Sequence, residues 1–224
     1  MTAELAAETY AACGAEPPPD CRICPRLVEF REENRAAHPN WFNHAVPSFG
    51  PDDARLLIVG LAPGLKGANR TGFPFMGDFA GDLLYSTLLK FGLATGRHAP
   101  ETPQALRLVD CMITNAVRCV PPANKPTPKE ISACRPFLVE RIASLPKLIA
   151  ILALGRIAHD STLRAFGLKL KDYPFGHGAS HALPGGLHFF DSYHCSRYNT
   201  NTGVLTEEMF ESVFASIRET LRGS

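Results

Sequence analysis

Four runs of apolar residues predict the strands of a buried sheet. They cover residues 54–61, 109–117, 148–154 and 187–193. Each run is almost continuously apolar and contains β-branched residues, which is typical of parallel strands that are covered on both faces. In the segments between and after these strands, apolar residues recur at the spacing of one face of a helix. These predicted helices cover residues 82–91, 127–144, 156–166 and 206–221.

The alternation of strands and helices predicts an α/β fold. Right-handed crossovers between parallel strands place helices on both faces, so we expect a three-layer α/β/α sandwich with a central four-stranded parallel sheet. A chain of 224 residues fits a single domain over residues 1–224, of which residues 1–20 form an N-terminal lead-in. Residues 176–186 read as a flexible loop, and a charged stretch ending at Arg35 receives no assignment.

Composition narrows the class of protein. No apolar run approaches the length that crosses a membrane, and the N-terminus lacks the pattern of a secretory signal, so a cytoplasmic protein is expected. The formal net charge is +1, which argues against a protein that binds nucleic acid through overall charge alone. Any contact with nucleic acid must then come from local basic patches.

Ligands of open parallel sheets bind beyond the carboxyl ends of the strands, so the loops after the predicted strands should form the site. The first of these loops, residues 60–72, is dense in glycine, which lets a backbone approach a ligand and present its N–H groups. The loop is neither a Walker loop nor a dinucleotide fingerprint, because both motifs are absent.

The segment that follows combines aromatic residues with an acid. Phe75 and Asp78 could hold a planar ligand, with the ring stacked on it and the carboxylate beside it. Alternatively, Phe75 belongs to the core and Asp78 caps the next helix. Composition alone favours this second interpretation.

Two further loops carry polar side chains at strand ends. His194 ends the last strand and a mostly polar loop follows it. After the second strand, Asn115 and Asn124 offer amides that can read the edge of a base, while Arg118 and Lys125 could meet phosphate. The alternative is a loop with polar decoration that only leads into a helix.

Cysteine spacing indicates a metal or redox centre. The chain has 7 cysteines, an odd number that argues against a disulfide scaffold. Cys21 and Cys24 form one close pair, and Cys119 and Cys134 can converge on it as four thiolate ligands. Such a site accepts zinc or an iron–sulfur cluster, and spacing alone does not choose between them. The remaining cysteines, Cys13, Cys111 and Cys195, are expected to bind no metal.

Read together, these motifs resemble the uracil-DNA glycosylase superfamily, in particular its family 5 iron–sulfur members. The resemblance rests on GLAPGLKGANRTGFPFMGD at 60–78, TNAVRCVPPANKPTP at 114–128, HCSRYNTNTG at 194–203 and CRIC at 21–24. It implies excision of uracil and related deaminated bases from DNA. It also implies that a [4Fe–4S] cluster, rather than the less favoured zinc ion, is held by the four cysteines Cys21, Cys24, Cys119 and Cys134.

The resemblance assigns roles to individual residues. The catalytic candidates are Asp78, His194 and Asn124. The base-binding candidates are Gly60, Leu61, Ala62, Pro63, Gly64, Phe75 and Asn115. The DNA-binding candidates are Lys66, Arg70, Lys125, Ser196, Arg197, Tyr198 and Asn199, on loops that also carry Arg118. The loop 196–203 would enter the DNA and fill the space that the flipped base leaves.

Two positions modify these expectations. Ala62 stands where many uracil glycosylases carry a polar residue that activates water, so Asp78 becomes the acid best placed to orient water or stabilise the sugar cation. The pocket should also be roomier, which predicts excision of hypoxanthine as well as uracil, with xanthine a further candidate. Cys195 replaces the proline usual after the histidine, which predicts a looser loop.

Two other classes of function compete with this interpretation. A nucleotide-binding hydrolase or a redox protein would need a phosphate loop or a strand–CxxC–helix setting, and the sequence shows neither. A non-catalytic relative would bind damaged DNA with the same fold and cluster but release no base. A monomer is the simplest expectation for the oligomeric state.

Overall fold

In the computed structural model, which describes residues 14–223, a sheet lies between two groups of helices. The strands are β1 (Leu56–Gly60), β2 (Ala94–Gly96), β3 (Leu106–Leu108), β4 (Cys111–Asn115), β5 (Ala150–Leu154), β6 (Ser180–Ala182) and β7 (His188–Ser192). The helices are α1 (Pro25–Ala37), α2 (Ala68–Thr71), α3 (Phe79–Lys90), α4 (Pro128–Ala143), α5 (Arg156–Ala165), α6 (Arg197–Asn201) and α7 (Glu207–Arg222). Short 3₁₀ turns connect several of them.

The main sheet has the order β4-β1-β5-β7-β6. Its first four strands are parallel and correspond to the four predicted runs, each shortened at its ends. The prediction of a four-stranded, wholly parallel sheet is wrong in one respect, because β6 adds an antiparallel fifth strand at the edge. This strand falls within the expected flexible loop 176–186. It is too short and too polar to show as an apolar run, and its pairing with β7 defines it.

Each face of the sheet packs a core of its own. One core joins the sheet to α3 and α7, with Tyr85, Phe210 and Phe214 among its buried side chains. The other joins the opposite face to α4 and α5 around Leu138 and Phe189. The α/β/α layering expected from the sequence is therefore confirmed.

Local sequence signals set the helix ends. Thr127 caps α4 in a capping box, since its side chain accepts from the Glu130 N–H while Glu130 reaches back to the Thr127 N–H. Helix α1 was not predicted from the sequence, because it has no stripe of apolar residues at helical spacing. Its buried residues are Leu27 and the polar Arg31 and Asn34. Within the described residues, no helix is long and apolar enough to cross a membrane.

Candidate functional site

The loops after β1, β4 and β7 meet in one cleft at the carboxyl edge of the sheet. The cleft has a volume of about 390 Å³, within the range of ligand pockets. Its lining residues are Leu61, Ala62, Gly64, Phe75, Asp78, Phe79, Ala80, Asn124, His194, Ser196 and Arg197. The cleft thus brings together the three residues that the sequence analysis assigned as catalytic, although they are far apart along the chain: Asp78, Asn124 and His194.

Asp78 turns its carboxylate into this cleft. It occupies the N-cap position of α3, yet its side chain accepts no N–H from that helix. The interpretation of Asp78 as a helix cap is therefore wrong. Burial raises the pKa of its carboxyl group, an effect opposed by the backbone of Ala68 and Gly64 and by the charge of Arg70. An acid held this way is a functional-site candidate on physical grounds.

Two glycines of the first loop make room for that carboxylate. A β-carbon at Gly64 or at Gly67 would overlap the side chain of Asp78. The glycine content of this loop therefore serves a close approach between its backbone and an acid. Of the other residues assigned to the base pocket in this loop, Pro63 is buried and does not line the cleft.

Phe75 forms the apolar wall, and its backbone is strained. Its φ is 60°, a left-handed conformation that is rare for a bulky residue. The Phe75 ring lies over Gly60, where a β-carbon would collide with it. His194 stacks near it, with the ring centroids 5.9 Å apart and the planes inclined by 28°. Strain of this kind, held by surrounding structure, is typical of functional sites.

Asn115, at the end of β4, is not among the residues that line the cleft. It is buried, and its Oδ1 lies against Gly60 without a hydrogen-bond partner among the described residues. The Phe75 ring lies against the same glycine, so the unpaired oxygen of Asn115 is close to the apolar wall of the cleft. The assignment of Asn115 to base recognition stays a prediction.

Asn124 reaches the cleft from a strained turn. Ala123 and Asn124 both have positive φ, at 54° and 56°. Two successive left-handed residues reverse the chain just before the Thr127 cap of α4. The exposed Asn124 lines the cleft together with Asp78 and His194. A strained backbone therefore again carries a residue of the cleft.

His194 comes just after β7, separated from it by Tyr193, and its ring stacks near Phe75. Burial lowers the pKa of its imidazole below the ordinary 6.5, so the ring is neutral at neutral pH. The Asn199 side chain donates to the His194 carbonyl at 2.8 Å, and Ser196 caps α6 by accepting the Asn199 N–H. Next to it, the buried Cys195 thiol donates to the Ala80 carbonyl at 3.3 Å. This bond ties the loop to the start of α3, where the sequence led us to expect loosening.

The basic residues assigned to DNA differ in exposure. Lys66, Lys125 and Arg197 are exposed, and the Arg197 guanidinium lies 4.9 Å above the centre of the Phe79 ring at the cleft mouth. Arg70 is partly buried, with its Nε donating to the Lys66 carbonyl. Tyr198 is 74% exposed, and it lies in the short helix α6, where the sequence analysis expected a loop.

Arg118 is not part of this basic surface. It is 1% exposed and donates to Glu16 at 3.0 Å. The expectation that Arg118 meets phosphate is therefore wrong, because its charge is already neutralised inside the protein. Glu16 also accepts from Arg141 at 2.6 Å, and so anchors the end of the lead-in; residues 1–13, including Cys13, lie outside the described part of the chain.

The four cysteines predicted to bind a metal group come together in the fold. The sequence alone did not decide between zinc and an iron–sulfur cluster. Cys21 and Cys24 precede or cap α1, Cys119 follows β4, and Cys134 lies in α4. Together they line one largely apolar hollow with Leu27, Val117 and Phe137. Cys111 and Cys195 are buried in a different core.

The arrangement of the four thiols tests which metal group fits. Within residues 14–223 no group of three or more His, Cys, Asp or Glu side chains is placed to hold a metal ion. The four cysteine thiols nevertheless line one hollow, and four thiolates are a ligand set that accepts an iron–sulfur cluster or zinc. Backbone and side-chain N–H groups already point at two sulfurs, from Arg118 to Cys134 and from Arg31 to Cys119. The residues present therefore fit an iron–sulfur cluster.

Some residues at or beside the cleft received no role from the sequence. Phe79 lines the cleft and contacts Arg197, Ala80 lines it as well, and Gly67 lies against the Asp78 carboxylate. The position of Phe79 directly after Asp78 was the available signal for the first. Nothing in the sequence distinguishes Gly67 from the other glycines of its loop.

Comparison with known proteins gives a consistent result. A sequence model described as the uracil DNA glycosylase superfamily matches residues 47–218. The type-5 uracil-DNA glycosylase of Thermus thermophilus is 49% identical over 201 residues, covering 86% of this chain and 90% of the relative. That of Mycobacterium bovis is 41% identical, covering 89% and 77%. A type-4 uracil-DNA glycosylase of Pyrobaculum aerophilum is 36% identical over a shorter stretch of 125 residues, 55% of this chain and 56% of the relative.

Proposed function

Because the chain belongs to the uracil DNA glycosylase superfamily, we propose that it excises uracil from DNA by hydrolysing the N-glycosidic bond, which leaves an abasic site. The observation that carries the proposal is a cleft that has the apolar ring of Phe75 as one wall and is also lined by Asp78, Asn124 and His194. The cleft combines a surface for stacking a planar base with polar groups on its rim. A base inside a duplex cannot reach such a site, so the nucleotide must first leave the stack.

The chemistry separates charge between the sugar and the base. The bond between C1′ and the base nitrogen breaks with its electron pair leaving on the base, and a water oxygen then adds to C1′ while its proton is released. Asp78 is the anion beside the reacting sugar, where it can orient the water and stabilise the developing cation. Its desolvated position strengthens both effects, since the local dielectric is low.

The groups proposed to stabilise the departing base share the cleft with Asp78. A neutral His194 can donate one N–H to the base without introducing a positive charge that would compete for Asp78. The Asn124 amide can donate to the base or hold the water, and the backbone at Leu61 and Gly64 offers further polar groups. Phe75 stacks on the base and orients it.

The lesion range follows from the apolar residues of the first loop. Ala62 supplies no polar side chain at the cleft, and Leu61 and Gly64 flank it. Without a polar side chain at position 62, the pocket has one hydrogen-bonding partner fewer that a mismatched base would leave unpaired, so it discriminates less between bases. We therefore extend the proposal to hypoxanthine, with xanthine as a further substrate.

The DNA duplex is proposed to lie across the cleft mouth. Arg197 lines the cleft, and the exposed Lys66 and Lys125 lie on loops that contribute to it, so these three side chains can supply charges for phosphate contacts. Tyr198, on the short helix α6 after His194, is exposed and would enter the space left by the flipped base. Asn199 and Ser196 have internal hydrogen bonds and shape the loop that carries this tyrosine. The enzyme is proposed to act as a monomer.

We also propose that the four cysteines hold a [4Fe–4S] cluster. Bound there, the cluster supplies covalent links among three segments of the chain. Cys21 and Cys24 tie the start of α1, while Cys119 and Cys134 tie the β4–α4 loop and α4. The same β4–α4 loop carries Asn124, so the cysteines hold the frame of the cleft and take no part in the bond cleavage.

A glycosylase assay tests the function directly. Duplex oligonucleotides with a single uracil or hypoxanthine are incubated with excess protein, and alkali converts abasic sites into strand breaks. Breaks at both lesions are the expected result, and an oligonucleotide with thymine at the same place is the control. If Asp78→Asn cleaves uracil at the wild-type single-turnover rate, the role of Asp78 is wrong. If the wild type cleaves no lesion, the function is wrong.

A further inference from the structure

Arg31 is a buried cation without an acidic partner among residues 14–223. It is 1% exposed, on the inner side of α1. Its guanidinium donates to the Cys119 sulfur at 3.6 Å and to the Cys21 carbonyl at 3.0 Å. Its Nε has no hydrogen-bond partner among the described residues. An isolated buried charge is costly, by several kcal/mol in real proteins, so something of opposite charge is expected beside it.

A second buried arginine at the same hollow shows the contrast. Arg118 also lines the four-cysteine hollow and is equally buried. For Arg118 the chain supplies a carboxylate, because Glu16 accepts from its guanidinium. For Arg31 the described chain supplies none, and the group that its guanidinium faces is a cysteine sulfur. An anionic centre at that sulfur would supply the counter-charge that the described chain lacks.

We propose that Arg31 is the counter-charge of the iron–sulfur cluster, a positioning residue that retains the cluster and raises its reduction potential. The inference rests on the proposed cluster. Four thiolate charges exceed the positive charge of the oxidised core, so the ligated cluster is an anion. A guanidinium that donates to one ligand sulfur and fixes the carbonyl of another ligand residue offsets that charge and orients both.

This role explains why α1 buries the charged side chain of Arg31. The helix has no apolar stripe and buries little besides Leu27, Arg31 and Asn34. Such a helix gains little from hydrophobic burial. It begins directly after Cys24 and carries Arg31 two turns later, so it connects a ligand pair with the cation that faces the opposite ligand, Cys119.

The test compares variants of the whole protein purified without oxygen. Arg31→Met removes the charge at similar length, and Arg31→Lys keeps it. Arg35→Met is the matched control, since Arg35 lies one turn further along α1 and, among residues 14–223, pairs with the surface acids Asp20 and Glu32 and with neighbouring polar groups. Iron and sulfide per chain, the rate of cluster loss to a chelator, and the midpoint potential are measured on each.

We expect Arg31→Met to lose its cluster about tenfold faster than the wild type. Its midpoint potential should also be lower, because the reduced, more negative cluster loses more from the missing cation. Arg31→Lys and Arg35→Met should stay within about twofold of the wild-type loss rate. If Arg31→Met yields no folded protein, Arg31→Gln and Arg31→Lys carry the same comparison, because they differ from each other in charge.

Failure of this inference differs from failure of the proposals on which it rests. If Arg31→Met keeps the wild-type loss rate and potential, or if Arg31→Lys loses the cluster as fast as Arg31→Met, charge compensation by Arg31 is wrong. If the wild type itself contains no iron or sulfide, the cluster proposal fails. A wild type with a cluster but without base excision would overturn the enzymatic function and leave the Arg31 comparison intact.

Discussion

The carboxylate of Asp78 lies against the backbone of Gly67, so closely that a β-carbon at position 67 would overlap it. The same holds at Gly64, three residues earlier. The first loop is thus shaped around an acid that enters the cleft from the start of α3. The position of the acid in the cleft depends on the absence of two side chains that themselves do no chemistry.

Gly67→Ala should lower activity without unfolding the protein. The new methyl displaces the carboxylate of Asp78, which is the movable end of a side chain, and a displacement of about 1 Å can reduce a rate about 100-fold. Single-turnover excision of uracil and urea unfolding measure the two effects. Gly176→Ala is the control, because the nearest atom to a β-carbon there is 3.9 Å away. Wild-type activity in Gly67→Ala would show that the carboxylate has no fixed position in catalysis.

Asp78→Asn should reduce the single-turnover rate by about 100-fold or more, yet stabilise the protein at neutral pH. Burial raises the pKa of Asp78 in the folded protein above its ordinary 3.8. The folded state then binds this proton more tightly than the unfolded chain, so the ionised carboxylate lowers stability above the folded pKa.

The stabilisation by Asp78→Asn should vanish as the pH falls below 3.8, where the carboxyl is protonated in both states. Thermal melts of wild type and variant at several pH values measure it. A variant that is less stable than the wild type at neutral pH would contradict the desolvation of Asp78.

The excision rate should be independent of pH in the neutral range and fall at lower pH, with a midpoint below 6.5. Burial lowers the pKa of His194 below 6.5, so its imidazole is neutral in the neutral range. The proposed role of Asp78 requires an ionised carboxylate there, although burial raises its pKa above the ordinary 3.8. Below it, His194 gains a proton and Asp78 loses its charge. Single-turnover rates with saturating protein at each pH measure the profile, with DNA binding followed in parallel. A midpoint at or above 6.5 would mean that His194 is not desolvated in the working enzyme.

Ala62→Asn should narrow the lesion range. An amide at position 62 fills part of the cleft and introduces a polar group that a mismatched base leaves unpaired, so excision of hypoxanthine relative to uracil should fall by about tenfold or more. The ratio of single-turnover rates on the two lesions is the readout, which cancels a general loss of activity. An unchanged ratio would remove Ala62 from the determinants of selectivity.

Glu16→Gln should destabilise the protein by about 1–3 kcal/mol. Glu16 neutralises the buried Arg118 and also binds Arg141, so the variant leaves a buried guanidinium without its carboxylate. Urea unfolding measures the change. The control is Asp53→Asn, which breaks the exposed pair with Lys147 and should change stability by about 1 kcal/mol or less. Equal effects of the two variants would show that the buried network contributes no more than a surface pair.

The elements that the sequence predicted best are those with long, regular patterns. The strand runs ending near Gly60, Asn115, Leu154 and Ser192 were found because strands covered on both faces are apolar throughout. Strand β6 and helix α1 were missed, because one is a short polar edge strand and the other buries a polar stripe. Both exist through contacts with distant residues, which a local pattern does not contain.

The sequence by itself determined the α/β layering, the loops that form the cleft, and the residue types that bring chemistry to it. These follow from periodicity and from the rule that parallel strands end at one edge. Only the tertiary structure decided which polar residues line the cleft: it placed Asp78 and Asn124 there, buried Asn115 against Gly60, and paired Arg118 with Glu16. The physical reason is that the direction and the burial of a side chain depend on neighbours from distant segments. Such neighbours, like Glu16 beside Arg118, are brought together only when the chain folds.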